Sequence, residues 1–243
     1  MGRDCGWLTA ATARAYQRHL QRYAVLPELF VDNNRLGLHA VYIPELDFDL
    51  EVEAARLKQV MDESDCVNIF ISEGACVDTV VRELEAKGED IPKDAFGHYK
   101  LDSVNVGKWF ADQFAPKIGA EKTLVQKSGY YARAAKANEA DRALIRECCE
   151  LAVRCALTKT PGLIGHDEQK GGELRPIEFP RVKGGKKFDL QTDWFLEMLE
   201  DIGQPLPTHP SPAGLGATIS AIGKQIGGMF SHGAEQGQPA TST

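Results

Sequence analysis

A tyrosine and an arginine stand three residues apart, at Tyr130 and Arg133, and Lys127 precedes them. One helical turn would bring the phenol and the guanidinium side by side. An arginine fork matches a phosphate group bidentately, and a tyrosine hydroxyl adds a neutral hydrogen bond. The spacing therefore predicts a site for a phosphorylated ligand. A solvated basic face, which Lys136 and Arg142 would continue, explains the same residues equally well.

Three short apolar runs, which are the predicted strands, each end in polar residues. Glu45 follows the first run, Ser72-Glu73-Gly74 the second, and Lys127 the third. Ligands of open parallel sheets bind beyond the carboxyl ends of the strands, so we expect these residues at one rim. Glu73 could accept hydrogen bonds from sugar hydroxyls. A surface position, or one capping a helix N-terminus where the helix dipole favours a carboxylate, explains this residue slightly better.

Other candidate groups predict no chemistry. His166 stands beside Asp167 and Glu168, but adjacent positions give poor geometry around a metal, so we expect a structural or surface role. The Gly-Gly-Lys run at 184–186 lacks the glycine spacing and the Lys-Ser/Thr pair of a P-loop. The six cysteines show no Cys-x-x-Cys spacing, which indicates reduced thiols of a cytoplasmic protein.

The composition is that of a globular protein. Of the 243 residues, 43% are hydrophobic and 26% are charged. The net charge of −7 argues against a nucleic-acid partner, although a small anionic ligand responds to a local cluster of charge. No apolar run approaches the ~20 residues that a bilayer span needs, and no apolar signal segment follows the first residues. We expect a cytoplasmic protein that binds neither nucleic acid nor a membrane.

Short apolar strands alternate with amphipathic helices through the middle of the chain, which is typical of an α/β fold with a parallel sheet. The predicted strands are 39–43, 67–71 and 123–126, and the predicted helices are 50–63, 77–87, 106–114 and 139–157. The last of these helices has an apolar stripe formed by Ala140, Leu144, Cys148, Leu151 and Cys155.

The two ends of the chain differ from this middle part. A helical pattern starts within the first residues, with Leu8, Ala11, Ala15 and Leu20 near one face. Beyond residue 162, a strand at 174–179 and a short helix at 194–199 are predicted. From residue 204 onward proline, glycine, serine and threonine dominate, so we expect a flexible tail over 204–243.

Several motifs, in their order along the chain, resemble those of the phosphofructokinases. Met1-Gly2-Arg3, with Gly6 three residues on, is similar to the MGR-x-x-G segment whose backbone and arginine hold fructose 6-phosphate in that family. The Ser-Glu-Gly run at 72–74 resembles the acidic turn of the family that contacts the sugar. The run at 125–133 resembles its phosphate-clamping segment.

Further residues resemble the pyrophosphate-dependent branch of this family. Bacterial ATP-dependent enzymes usually have histidine where Tyr130 stands, and Tyr-x-x-Arg after Lys127 is similar to the pyrophosphate-dependent pattern. The runs at 165–168 and 177–186 also resemble that branch. The resemblance covers roughly residues 1 to 205.

The resemblance implies a phosphofructokinase-like parallel sheet flanked by helices, comprising a sugar-phosphate domain plus part of the donor domain. Residues 1–133 would form the fructose 6-phosphate-binding domain, and 134–203 would pack on the phosphoryl-donor domain before the 204–243 tail. The implied reaction is the glycolytic transfer of a phosphoryl group from pyrophosphate to the 1-hydroxyl of fructose 6-phosphate, with Mg²⁺.

The resemblance also assigns roles to residues of the predicted rim. Arg3, Lys127 and Arg133 would bind the 6-phosphate or a neighbouring charge. Glu73 and Tyr130 would orient the sugar. In the family's segment, the backbone at Met1 and Gly2 also takes part in binding the substrate.

The family's glycine-rich donor loop, its Mg²⁺-binding acidic residue and its Thr-x-Asp general-base segment all precede the MGR motif, where this chain starts. The resemblance thus implies that Met1 is internal to a longer protein and that no catalytic residue or Mg²⁺ ligand lies within this chain. Pyrophosphate, or ATP, would act through the missing half, and we expect a homo-oligomer that is inactive without it. The alternative is a non-catalytic sugar-phosphate-binding or regulatory subunit of a two-chain phosphofructokinase. A third interpretation is another sugar-phosphate enzyme on a similar fold.

Overall fold

The computed structural model describes residues 4–22, 33–95, 97, 99–100, 103–182 and 185–207, with the backbone alone at Asn33, Tyr130, Ala132 and Arg133. The predicted site residues Met1, Gly2 and Arg3 lie outside these ranges, as does the predicted tail beyond residue 207. The chain divides into two compact units. The first contains the described residues that fall within 4–134 and 185–207, and the second contains 135–182.

The described elements are, in chain order, α1 (Trp7–Leu20), α2 (Asn33–Leu36), β1 (Ala40–Tyr42), α3 (Leu50–Ser64), β2 (Ile69–Ile71), α4 (Val77–Ala86), α5 (Val106–Ile118), α6 (Gly129–Ala134), α7 (Glu139–Leu157), β3 (Leu163–Asp167), β4 (Glu173–Ile177) and α8 (Asp193–Asp201). Short 3-10 turns follow β3 at Glu168–Lys170 and β4 at Phe179–Arg181. Among these described helices, none is both long and apolar enough to cross a bilayer.

The sheet of the first unit consists of β1 and β2, which pair in parallel with Val41 opposite Phe70. Helix α3 lies between them in the chain. It begins where the Asp49 carboxylate accepts hydrogen bonds from the N–H groups of Glu51 and Val52. All three residues of β1 are buried, because helices cover both faces of the strand. The predicted α/β fold with a parallel sheet and flanking helices is confirmed.

One face of β1 packs on α3, α4 and α5. The ring of Tyr42 lies 5.0 Å from that of Phe110 and 5.8 Å from that of Phe114, measured between centroids. Leu57 of α3 and Val80 of α4 are buried in the same cluster. Burying side chains of this size contributes about 1.5–3 kcal/mol each, so this cluster fixes the sheet against its helices.

The opposite face of β1 packs on α1 and α8. Val41 and Ile43 share a buried cluster with Ala10 of α1 and with Phe195 and Leu199 of α8. The helix predicted at 194–199 is therefore confirmed, and it belongs to the core of the first unit.

The buried face of α1 differs from the predicted one. Ala10 and Ala13 are its fully buried positions, whereas Ala15 of the predicted face is exposed. Leu8, Ala11 and Leu20 are half-buried; these three complete the predicted face. The small side chains of Ala10 and Ala13 let the helix backbone approach the sheet closely, which an apolar count along the helix does not reveal.

The strand predicted at 123–126 does not form. The segment has no regular secondary structure and is exposed, and Leu124 is 85% accessible. A strand needs a neighbour to satisfy its backbone N–H and C=O groups, and no described strand pairs with this segment. The side chain of Val125 instead lies over Gly107 of α5, where a Cβ atom would come within 2.7 Å of Val125 Cγ1.

The second unit consists of α7 and a hairpin. Strands β3 and β4 pair antiparallel with Gly165 opposite Arg175, and α7 contacts both strands. Helix α7 has the predicted bounds and begins with a capping box formed by Asn138 and Asp141. The strand predicted at 174–179 is confirmed as β4, which starts one residue and ends two residues before the predicted bounds.

Candidate functional site

The parallel pairing brings the polar residues that follow β1 and β2 to one edge of the sheet. The carbonyl oxygen of Tyr42 accepts a 2.9 Å hydrogen bond from the N–H of Ser72, which fixes the two strand ends side by side. Ser72 is buried, and its carbonyl closes a turn by accepting from the N–H of Ala75 at 3.0 Å. Glu73 is exposed within this turn. Glu73 and Glu45 therefore both lie beyond the carboxyl ends of the paired strands, at one edge of the sheet. Lys127, the third residue predicted at this rim, follows a segment that forms no strand.

Glu45 connects three parts of the first unit. Its carboxylate oxygens accept hydrogen bonds from the N–H of Gly6 at 3.1 and 3.0 Å and from the N–H of Phe188 at 2.8 Å. Gly6 packs so closely on β1 that a Cβ atom there would lie 2.4 Å from Ile43 Cβ. The Glu45 carboxylate thus fixes Gly6, the last residue of the segment that resembles MGR-x-x-G.

Sequence reasoning placed Glu45 at the rim but gave it no role, because its partners are distant in the chain. Gly6 is 39 residues away, and Phe188 is 143. A Pro-Glu pair directly after a buried strand was the available signal, since it places a carboxylate at the carboxyl end of the sheet.

The predicted phosphate clamp lies on α6. The backbone is helical from Gly129 to Ala134, so Tyr130 and Arg133 stand one turn apart as the spacing predicted. Their side chains lie outside the described part of the structure. Lys127 precedes the helix and is exposed. The convergence of Glu73, Lys127, Tyr130 and Arg133 on one cleft stays a prediction.

Cys76 ends the turn after β2, and its thiol is not a nucleophile at neutral pH. Its backbone is left-handed, with φ 55°, at the start of α4. Burial and the nearby Asp47 carboxylate raise the pKa of its thiol to about 11, so the thiol stays protonated at neutral pH. All six cysteines of the chain are thiols without a disulfide partner.

The Gly-His-Asp-Glu run at 165–168 has a structural role. His166 Nδ1 hydrogen bonds to the carbonyl oxygen of Gly172 at 2.9 Å, across the turn of the hairpin. The buried Asp167 carboxylate accepts hydrogen bonds from Arg175 at 2.6 Å and from Arg181 at 2.6 and 2.8 Å. Among the described residues, no group of three or more His, Cys, Asp or Glu side chains could hold a metal ion.

Glu178 completes this cluster of charges in the second unit. It accepts from Arg175 at 2.8 Å and from Arg181 at 2.9 Å. The hydrogen bond from Arg175, aided by that from Arg181, lowers the pKa of Glu178 to about 2. The hydrogen bonds that Asp167 accepts, first from Arg181 and then from Arg175, hold its pKa well below its usual range. Both guanidinium groups are therefore neutralised by carboxylates of the same hairpin, which joins β3, β4 and the turn that follows them.

Comparison with known proteins identifies the relatives of this chain. No protein-family model matches it. It is 60% identical over 205 residues to the pyrophosphate–fructose 6-phosphate 1-phosphotransferase of Methylomonas methanica, covering 84% of this chain and 50% of the relative. Proteins of the same name from Mastigamoeba balamuthi (52% over 205 residues, 84% of this chain and 50% of the relative) and Propionibacterium freudenreichii (50% over 207 residues, 85% and 51%) are also similar.

The chain spans about half the length of the curated relatives it matches. Identities of 50–60% over more than 200 residues leave no doubt of common descent. The prediction from the ordered motifs is confirmed: over most of its length, this chain is homologous to about half of a pyrophosphate-dependent phosphofructokinase.

Proposed function

We propose that this chain supplies the sugar-phosphate-binding half of a pyrophosphate-dependent phosphofructokinase. The complete enzyme would transfer a phosphoryl group from pyrophosphate to the 1-hydroxyl of fructose 6-phosphate. The observation that carries the proposal is the 60% identity to a protein named for this reaction, over half of that protein's length. The parallel sheet, whose strand ends present Glu45 and Glu73 at one edge, supports a ligand site there.

In this proposal, cationic groups hold the phosphate and polar groups hold the sugar. Arg3, Lys127 and Arg133 bind the 6-phosphate or a neighbouring charge, with the backbone at Met1 and Gly2 close by. Glu73 and Tyr130 orient the sugar hydroxyls. The helical backbone of α6, which sets Tyr130 and Arg133 one turn apart, supports the pairing of these two roles.

The chemistry of transfer belongs to the other half of the enzyme. Phosphoryl transfer depends on an aligned donor, a metal ion that neutralises charge, and a base on the acceptor hydroxyl. Mg²⁺ is commonly held by one or two carboxylates together with substrate phosphates. We assign its ligands and the donor loop to the half that this chain does not represent, because the family's motifs that carry them precede the MGR motif.

The predicted partition of the chain follows from the same proposal. The predicted boundaries at 134 and 203 need correction, because α8 and the segment 185–207 pack into the first unit. Residues 1–133 with 185–207 would form the fructose 6-phosphate-binding domain, and 135–182 would pack on the donor domain. The tail predicted from residue 204 would begin later, since Gln204 is buried against Val41. The enzyme would act in glycolysis in the cytoplasm as a homo-oligomer.

Calorimetric titration of the chain with fructose 6-phosphate tests the binding role. Wild type should bind, and Arg133→Ala should bind more weakly, because hydrogen bonds to charged groups are worth roughly 1.5–3 kcal/mol each. Arg133→Lys should recover part of the loss, since the charge returns but the fork does not. Arg142→Ala, which removes an exposed arginine of α7, is the charge-matched control and should bind as wild type does. Equal affinity of wild type and Arg133→Ala would remove the clamp from the proposal.

An assay for fructose 1,6-bisphosphate tests the division of labour. We expect no product from this chain with pyrophosphate or ATP, and product once it is co-expressed with the remaining half of the Methylomonas methanica relative. Product from the purified chain alone would overturn this division. Sugar-phosphate binding without activity in the co-expressed pair would instead favour a non-catalytic, regulatory subunit.

A further inference from the structure

One side chain occupies the edge of β1 that faces away from β2. The N–H of Val41 donates a 2.8 Å hydrogen bond to Oε1 of Gln204, and Nε2 of Gln204 donates a 3.0 Å hydrogen bond to the carbonyl oxygen of Val41. Gln204 lies 163 residues along the chain and is only 4% exposed. Its amide satisfies the two backbone groups that a neighbouring strand would otherwise satisfy.

A second contact ties the residues that directly follow α8 to the start of β1. Nη1 of Arg56 donates to the carbonyl oxygen of His39 at 2.9 Å and to that of Ile202 at 3.0 Å. The same guanidinium forms an ion pair with the buried carboxylate of Glu53 on α3. The backbone between Ile202 and Gln204 is thereby held against β1 at two points.

The segment 185–207, which carries Gln204, also reaches Glu45 at the rim beyond the carboxyl ends of β1 and β2. The N–H of Phe188 donates to Glu45, and the same carboxylate accepts from the N–H of Gly6. Phe188 and the α8 residue Leu199 share one buried cluster with Val41. The segment 185–207 therefore contacts β1 at its centre through Gln204 and just beyond its carboxyl end through Phe188.

We propose that Gln204 is a positioning residue for the sugar-phosphate site. Gln204 fixes the 185–207 segment against β1. It thereby determines the position of Glu45, and through Glu45 the positions of the Gly6 turn and of the rim that follows the strand. The inference rests on the proposed function for the identity of the ligand. Displacements of about 1 Å at remote positions are costly to sites that depend on orientation, so this edge contact bears on affinity as well as stability.

The test replaces the amide by an apolar side chain of similar length. Gln204→Met removes both hydrogen bonds to Val41. We expect faster hydrogen exchange at the Gly6 and Phe188 amides. The Kd for fructose 6-phosphate should rise about three- to tenfold, because binding must then restore the rim position that the two lost bonds maintained. Gln204→Glu keeps an acceptor for the Val41 N–H and loses the donor, and it serves the same test if the Met variant does not fold.

Val81→Ala is the matched control, because it removes buried apolar atoms of α4 on the other side of the sheet. Both proteins are compared at a temperature where each is fully folded. A Kd that rises equally in Val81→Ala, or unchanged exchange at Gly6 and Phe188 in both Gln204 variants, would overturn the positioning role. If the wild type binds no fructose 6-phosphate, the proposed function fails, and the exchange rates alone then decide whether Gln204 holds the rim.

Discussion

The hydroxyl of Tyr42 donates a 2.6 Å hydrogen bond to Oε2 of Glu53, and both side chains are buried in the first unit. Arg56 donates two further hydrogen bonds of 2.9 Å to the same carboxylate. Burial and the neighbouring Glu53 carboxylate raise the pKa of Tyr42 above its usual range, so the phenol is protonated and donates at neutral pH. The tyrosine, glutamate and arginine thus form one satisfied network beneath the rim.

Tyr42→Phe should lower the free energy of unfolding. The variant keeps the ring but leaves Glu53 with one donor fewer in a site that water does not reach, which costs about 1–3 kcal/mol. Urea unfolding followed by circular dichroism measures the loss. Tyr131→Phe removes a hydroxyl from a residue that is 67% exposed and should leave the midpoint unchanged. Equal shifts in the two variants would show that the network contributes nothing.

We expect His39 to make the stability of the first unit depend on pH. Its Nδ1 accepts from the N–H of Asn68 at 2.9 Å, so the other ring nitrogen carries the proton and donates to the carbonyl oxygen of Asn34 at 2.8 Å. Burial lowers the pKa of His39 below its ordinary value, and the nearby Arg56 guanidinium adds to this effect. A second proton would also take away the acceptor for Asn68.

The direction in which stability changes with pH follows from the lowered pKa of His39. Above the unfolded-state pKa of about 6.5, His39 is neutral in both states and the full stability is present. As the pH falls below that value, the unfolded chain takes up a proton first, and stability is lost down to the pKa of the folded state. Urea midpoints between pH 7.5 and pH 5.5 should therefore fall, and His39→Gln should flatten this dependence. An equally steep slope in the variant would assign the effect to other groups.

Local patterns predicted the longer helices and the strands β1, β2 and β4, whereas β3 and the contacts between distant residues escaped them. The bounds of α7 followed from its periodicity and from the capping residue Asn138. The run at 123–126 has strand-forming residues, but a strand also needs a partner that composition does not specify. Gln204 stands at the start of a proline- and glycine-rich stretch, yet its amide is buried against Val41. At the site, the spacing of Tyr130 and Arg133 was predictable, whereas the hydrogen bonds of Glu45 were not.

Gly6→Ala adds a single methyl group but should still impair the proposed sugar-phosphate site. The new Cβ would lie 2.4 Å from Ile43 Cβ and 2.8 Å from Glu45 Oε2, so the turn before α1 must move away from β1. Overpacking of this kind typically costs about 1–3 kcal/mol, and the shift should also weaken fructose 6-phosphate binding. Calorimetry and thermal unfolding measure the two effects.

Gly165→Ala provides the control for that substitution. Its Cβ would lie 3.5 Å from Ile177 Cδ1, an ordinary contact, in the second unit. We expect its affinity for the sugar phosphate to equal that of the wild type. If Gly6→Ala also bound as the wild type does, the contact between the Gly6 turn and β1 would not shape the site.

Helix α7 carries two apolar stripes. Cys148, Leu151 and Cys155 of the predicted stripe are half-buried within the second unit, where the helix contacts β3 and β4. A second stripe at four-residue spacing is exposed among the described residues. It consists of Ile145, Cys149, Val153 and Leu157, of which Leu157 is 80% accessible.

The chain by itself should therefore self-associate through α7. Contiguous exposed apolar surface of this kind favours association, because contact removes it from water. We expect sedimentation velocity to show oligomers or aggregates, and Ile145→Glu with Val153→Glu to shift the distribution towards monomer. Thr12→Glu with Gln191→Glu adds the same two charges at exposed polar positions of the first unit and should leave the distribution unchanged. Co-expression with the other half of the Methylomonas methanica relative should suppress self-association without any substitution. A monomeric wild-type chain at micromolar concentration would show that the exposed stripe does not drive assembly.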